Sequence, residues 1–224
     1  MQTTKNTGRL LGLLFLATVI AGATGTALRG FPEADANTTD FLIGVIENTG
    51  QMKLAIALDI LSSAVGVLIA LFLFPYIKQY GHRLAMGYTG IAFVNFAIIT
   101  VSNIIHVTLL SVGSDFDAVG ATGSHFTTLA SILYDAYYWT HFLILMLYSI
   151  GGSVLYYFLF KTQLVPRWLA AWGLLASAIV FTGGALQLAD IGVPFWFFIQ
   201  NGIFILTFTG WLLAMGFSKT RLES

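Results

Sequence analysis

The chain reads as an all-α integral membrane protein, a six-transmembrane-helix bundle with both termini cytoplasmic and a short interfacial helix between the first two spans. Three observations predict this. Only 9% of the 224 residues are charged and 57% are hydrophobic, whereas a soluble domain carries about 25% charged residues, so no globular surface could be covered. Six apolar segments each meet the length of about 20 residues that a helix needs to cross hydrocarbon. The cations alternate between connections, as the positive-inside rule requires.

The segments fall at about residues 10–28, 54–77, 84–112, 134–160, 168–189 and 195–217, and together they make one transmembrane domain over 1–224. In the first, Lys5 and Arg9, an apolar run and the small residues of 21–25 would also suit a secretory signal. Six spans close the charge asymmetry at both ends and five would spoil it, so a span is expected. One side of the membrane receives Lys5, Arg9, Lys78, Arg83, Lys161, Arg167, Lys219 and Arg221. The other receives only Arg29 and Lys53, beside Glu33, Asp35, Asp40, Glu47, Asp115, Asp117 and Asp190. The expected location is a cell membrane with the first side cytoplasmic.

In the connection 29–53, Asn37, Thr38 and Thr39 offer capping oxygens, Phe41, Leu42, Val45 and Ile46 recur at helical spacing, and Gly50 is suited to a turn. A short interfacial helix follows, resting on the outer leaflet or, in the functional reading, acting as a lid over an outer cavity. The stretch 113–123, rich in Gly, Ser and Asp, predicts a solvated outer loop. The fourth span is bracketed by Tyr138 and Tyr157, whose separation corresponds to about 28 Å of helix, close to the hydrocarbon thickness. The pairs Gly151-Gly152 and Gly183-Gly184 fit close helix packing better than phosphate loops. The turn 190–194 places Pro194 where a last helix begins. His82 and His125 fall in connections.

Zero net charge argues against nucleic acid as a partner, because phosphate contacts draw on surplus Lys and Arg. The lipid bilayer is the implied partner. Cysteine is absent, which removes disulfides, thiolate metal sites and a Cys nucleophile.

The run Leu164-Val165-Pro166-Arg167-Trp168-Leu169 followed by Trp172-Gly173-Leu174, with Asp59 inside Leu58-Asp59-Ile60-Leu61-Ser62, Phe74-Pro75, Gly87-Tyr88-Thr89-Gly90 and Gln200 with Trp211-Leu212 and Gly216-Phe217, resembles a bacterial membrane family known as domain of unknown function 4386. The resemblance spans nearly the whole chain and implies fold and localisation. It implies no activity. Where the family often has an Arg and a Glu one turn apart this chain has Ala92 and Asn95, and where it often has Gln-Glu this chain has Gln200-Asn201.

Polar residues inside the spans are the candidate site. Asp59, His106, His141, Gln187 and the pair Gln200-Asn201 fall in the outer half of five spans, and such groups turn toward protein or water. Asp59 shares a stripe with Ser62, Ser63 and Gly66, His106 with Asn95 and Ser102, and His141 with Tyr134 and Tyr138, with Asp135 flanking. No Lys or Arg lies within a predicted span, so the charge on Asp59 is expected to be answered by His106 or His141 as imidazolium, by a bound cation, by a proton, or by water.

Three readings follow. A small ligand or an ion occupies an outer pocket formed by Asp59, Asn103, His106, Asp135, Tyr138, His141, Gln200 and Asn201, with Trp139 adding to its apolar wall, and is bound or transported. Alternatively, His106, His141 and Asp59 hold a metal for an intramembrane enzyme, or act in acid/base chemistry. A haem on His106 and His141 is a weaker variant, since each span offers one buried His. Finally, the polar groups satisfy one another and glue a structural subunit together. Oligomeric state and ligand identity are not written in these patterns.

Overall fold

A helix that must bury its backbone in hydrocarbon satisfies every internal N–H and C=O along its own axis, and the apolar segments do this throughout. A computed structural model describes residues 2–29, 34–194 and 196–218. Glu33, Lys219, Arg221 and Phe195, which begins the last expected span, lie outside these. The described residues form seven α-helices: α1 (Gln2–Arg29), α2 (Thr39–Glu47), α3 (Thr49–Tyr80), α4 (His82–Ala118), α5 (Ser124–Thr162), α6 (Arg167–Leu188) and α7 (Trp196–Met215). All but α2 are long and apolar enough to cross a membrane. The chain is therefore a six-span helical membrane protein.

Each long helix packs on its neighbour in the chain, and α7 returns to α1, so the six close into a ring. At one end, here called the terminal end, Arg9 donates to Ala214 O at 3.0 Å and the Ser218 N–H donates to Leu164 O at 2.8 Å. A core of Leu11, Leu73, Ile77, Phe158, Leu159 and Leu212, all fully buried or nearly so, fills the ring there. The helices approach closely at glycines. A Cβ on Gly152 would stand 2.9 Å from Ser177 Oγ, one on Gly183 2.7 Å from the Phe198 ring, and one on Gly184 2.6 Å from Met146, as the packing reading of these pairs expects.

The opposite end departs from expectation. α4 continues to Ala118 and α5 begins at Ser124, so most of the stretch expected as a loop is helix and only a turn at 119–123 remains. Its glycine and acids signal a loop by composition, but Gly113 and Phe116 are buried under α2. A Cβ at Gly113 would come within 3.3 Å of Ile46, which makes the small residue a seat rather than a breaker. His125 accordingly sits in the first turn of α5, its ring 4.1 Å from that of Phe126.

α2 starts where Thr38 Oγ1 accepts from the Phe41 N–H at 3.4 Å. It buries Phe41, Leu42 and Val45 against Met52 of α3, Leu109 and Phe116 of α4 and Ala130 of α5. Burying three such side chains contributes on the order of 5 kcal/mol. α2 is thus wedged among the tips of three helices and forms a second solid core.

Candidate functional site

Between these two cores the ring is hollow. A cavity of about 740 Å³ is lined by α1, α3, α4, α5 and α7. Its end nearest α2 carries charge. Arg29, in the last turn of α1, forms an ion pair with Asp59 of α3, and their side chains are only 10% and 19% exposed. This corrects the expectation for Asp59. Its partner is neither histidine, cation nor proton but an arginine that the sequence places at a helix end. A guanidinium on a long aliphatic stem can fold back along its helix and bring the charge inward. A position at the carboxyl end of α1 also suits a cation electrostatically.

Small residues let the pair form. A Cβ on Gly25, one turn before Arg29, would lie 3.1 Å from Asp59 Oδ1 and 3.3 Å from Ala55 O, and one on Gly22 would lie 3.3 Å from Ser62 Oγ. Ser62 Oγ in turn donates to Thr18 O at 3.1 Å. The stretch 21–25, which also suited a secretory signal, is in the fold the face on which α1 meets α3.

Aromatic and imidazole rings complete the charged end. The Arg29 guanidinium carbon stands 5.5 Å from the centre of the Tyr137 ring, a cation–π arrangement. Tyr137 lies 4.5 Å from the His106 ring, edge to face, and 6.2 Å from that of His141. His106 is buried, and its Nδ1 lies 2.9 Å from Ser102 O. A carbonyl only accepts, so Nδ1 is the ring atom that donates there.

The expected residues divide. Asp59, His141 and Asn201 line the cavity. His106 stands behind Tyr137 rather than on the wall. Asn103 is buried with Nδ2 donating to Ile99 O at 3.0 Å, and is off this cavity's wall. Asp135 is exposed. Tyr138 faces α6 instead, where its hydroxyl accepts from Gln187 Nε2 while Gln187 Oε1 accepts from the Val193 N–H at 3.0 Å. Gln200 is off the cavity wall, its Nε2 buried without a hydrogen-bond partner. Trp139 is 38% exposed on the outside of the ring. No group of three or more His, Asp or Glu side chains among the described residues could hold a metal ion. Asp59 is already engaged by Arg29, so the set His106, His141 and Asp59 is not assembled here.

Arg29, Tyr88, Tyr137, Tyr148 and Tyr156 line the wall but are not among the candidates that the sequence singles out. By sequence Arg29 falls at the start of a connection. Tyr88, Tyr148 and Tyr156 add phenols to the cavity wall toward the terminal end. The available signal was that a tyrosine inside a span needs a polar neighbour for its hydroxyl. Tyr137 was also readable, since it stands four residues before His141 on one helical face.

A ring of six apolar helices with a charged, lined cavity marks a multi-span membrane protein. The chain matches the family described as a domain of unknown function (DUF4386) over residues 10–216, and it belongs to that family. Neither the curated proteins nor the solved structures include a match.

Proposed function

We propose that the protein holds a small ligand in the cavity at the centre of its helix ring, with Asp59 and its partner Arg29 at the polar end. The cavity itself carries this reading. Close-packed interiors leave few voids larger than a water molecule, whereas about 740 Å³ lies within the range of small-molecule pockets, about 300–1,000 Å³. Fixed polar groups at one end of an otherwise apolar wall are how such pockets orient what they bind. The alternation of basic residues supports a cell-membrane location with the terminal end cytoplasmic, which places the charged end of the cavity in the outer half. Binding is the core of the proposal, and transport would be binding followed by release on the other side.

Gly66 gives a direct test. It lines the cavity, and a Cβ there would meet no atom within 4 Å, so Gly66→Phe fills the site without displacing the helices. Protein purified in lipid nanodiscs is extracted and its small-molecule content identified by mass spectrometry. The expected result is a compound retained by the wild type and missing from a Gly66→Phe variant that unfolds at the same temperature. Identical contents in the two proteins would overturn the proposal.

A further inference from the structure

Resting on the binding role above, the geometry points to a more specific ligand: we infer that the cavity takes a single-chain amphiphile with a carboxylate head, the head against Arg29 and the chain running toward Tyr156. The wall on α5 extends from Tyr137 to Tyr156, about 28 Å of helix at 1.5 Å per residue. A volume of about 740 Å³ over that length gives a mean cross-section of about 26 Å², roughly a third of the section of a helix with its side chains, about 10 Å across. A rounded or folded molecule fills such a space badly. A flexible chain fills it end to end.

Polarity along the axis sets the direction of the chain. Below the charged end the wall is mainly apolar, with residues such as Val19, Ile69, Ile99 and Ile144, and is interrupted by Ser62, Ser63, Asn95 and Asn201. At the floor, the side chains of Tyr148 and Tyr156 line the cavity. Tyr156 is held edge-on against Phe204 at 4.9 Å and Phe208 at 5.6 Å, which closes the cavity against the terminal core.

Head chemistry follows from Arg29. The residue is 92% buried, from its 8% exposure, and lines the cavity. Asp59 meets the guanidinium at Nη2, the Tyr137 ring lies beside the group, and Nε is buried with no hydrogen-bond partner. A planar guanidinium has five donors in a fixed fork that matches a carboxylate. An acceptor arriving at Nε would satisfy it, and the His141 ring lines the same cavity. A cationic head would have to compete with Arg29 for Asp59, and an alcohol head would offer no charge to a donor already desolvated.

The test loads nanodiscs with deuterated palmitate, with hexadecanol of equal chain length, or with butyrate, and reads bound adducts by native mass spectrometry. The wild type, Gly66→Phe and the double variant Arg29→Gln/Asp59→Asn are compared. The double variant removes both charges together, so no buried ion is left unpaired, and thermal unfolding followed by tryptophan fluorescence verifies its fold. The expectation is one palmitate per chain at an occupancy about tenfold or more above hexadecanol, the scale of a hydrogen bond to a charged group. Butyrate binds far more weakly, the double variant brings acid and alcohol level, and Gly66→Phe removes both. If acid and alcohol bind alike in the wild type, or the double variant keeps the preference, the carboxylate assignment is wrong while cavity binding stands. Butyrate equal to palmitate refutes the chain. Failure of all three probes to show Gly66-dependent binding refutes the amphiphile, and the cavity role then rests on the extraction result alone.

Discussion

Separating Arg29 from Asp59 one charge at a time, and then together, tests whether the pair is a coupled unit. With Asp59→Asn the guanidinium stays in place without its counter-charge, and with Arg29→Gln the carboxylate does. Removing one partner of a buried pair costs about 3–5 kcal/mol because an uncompensated charge is left in a low dielectric. The side chains are 10% and 19% exposed, so some water reaches them and the lower figure, about 3 kcal/mol, applies to each single change. Neutralising both leaves two amides of nearly native shape, and replacing a buried pair by neutral groups is often close to neutral in stability. At about 2–4 °C per kcal/mol for a chain of this size, each single variant should melt about 6–12 °C below wild type and the double variant should recover most of that loss. Thermal unfolding in a fixed detergent, followed by the fluorescence of the five tryptophans, measures all four proteins. A double variant that loses the sum of the two single losses would show that the residues act independently and refute the pairing.

Two further outcomes probe the ends of the ring. Gly216 has φ +68° and its Cβ position overlaps Lys5 O, so Gly216→Ala combines backbone strain with a steric clash where α7 meets α1 and should cost about 2 kcal/mol or more, read in the same melts. Thr38→Ala removes the oxygen that caps α2 and should lower the stability of that helix by about 1 kcal/mol, seen as faster amide exchange across Thr39–Glu47 with α6 unaffected.

Sequence carries the long helices of this fold plainly, because a span that fails to satisfy its backbone cannot exist in lipid and the apolar runs have no other solution. The ends of α4 and α5 were less legible. Gly113 and Asp115 are ordinary loop residues by composition, and only the arrival of α2, from far along the chain, turns Gly113 into a packing surface. The site was legible on one side of its central pair. Asp59 stands out because an acid inside a span demands a partner, but Arg29 lies at the boundary where a cation usually points to water, and its inward fold depends on Gly25 and Gly22 letting α1 close on α3. Tyr137 and Tyr138 show the limit of helical spacing at one-residue precision. Both fit an aromatic stripe, and the hydrogen bond from Gln187 takes Tyr138 away from the cavity while Arg29 holds Tyr137 beside it.

The location of the ion pair bears on its purpose. A buried pair adds little net stability compared with well-packed apolar side chains of the same volume, and α1 is already joined to α3 at Gly22, Gly25 and the Ser62 hydrogen bond. Holding those two helices together therefore does not require charge. Nor does closing the end of the ring, which Phe41, Leu42, Val45 and Phe116 do with apolar packing alone. The pair instead lines the hollow that lies between the two solid cores, and its arginine keeps a donor without an acceptor. A charge kept where apolar packing would serve the fold equally well, and lining the cavity, is what the proposed binding role requires.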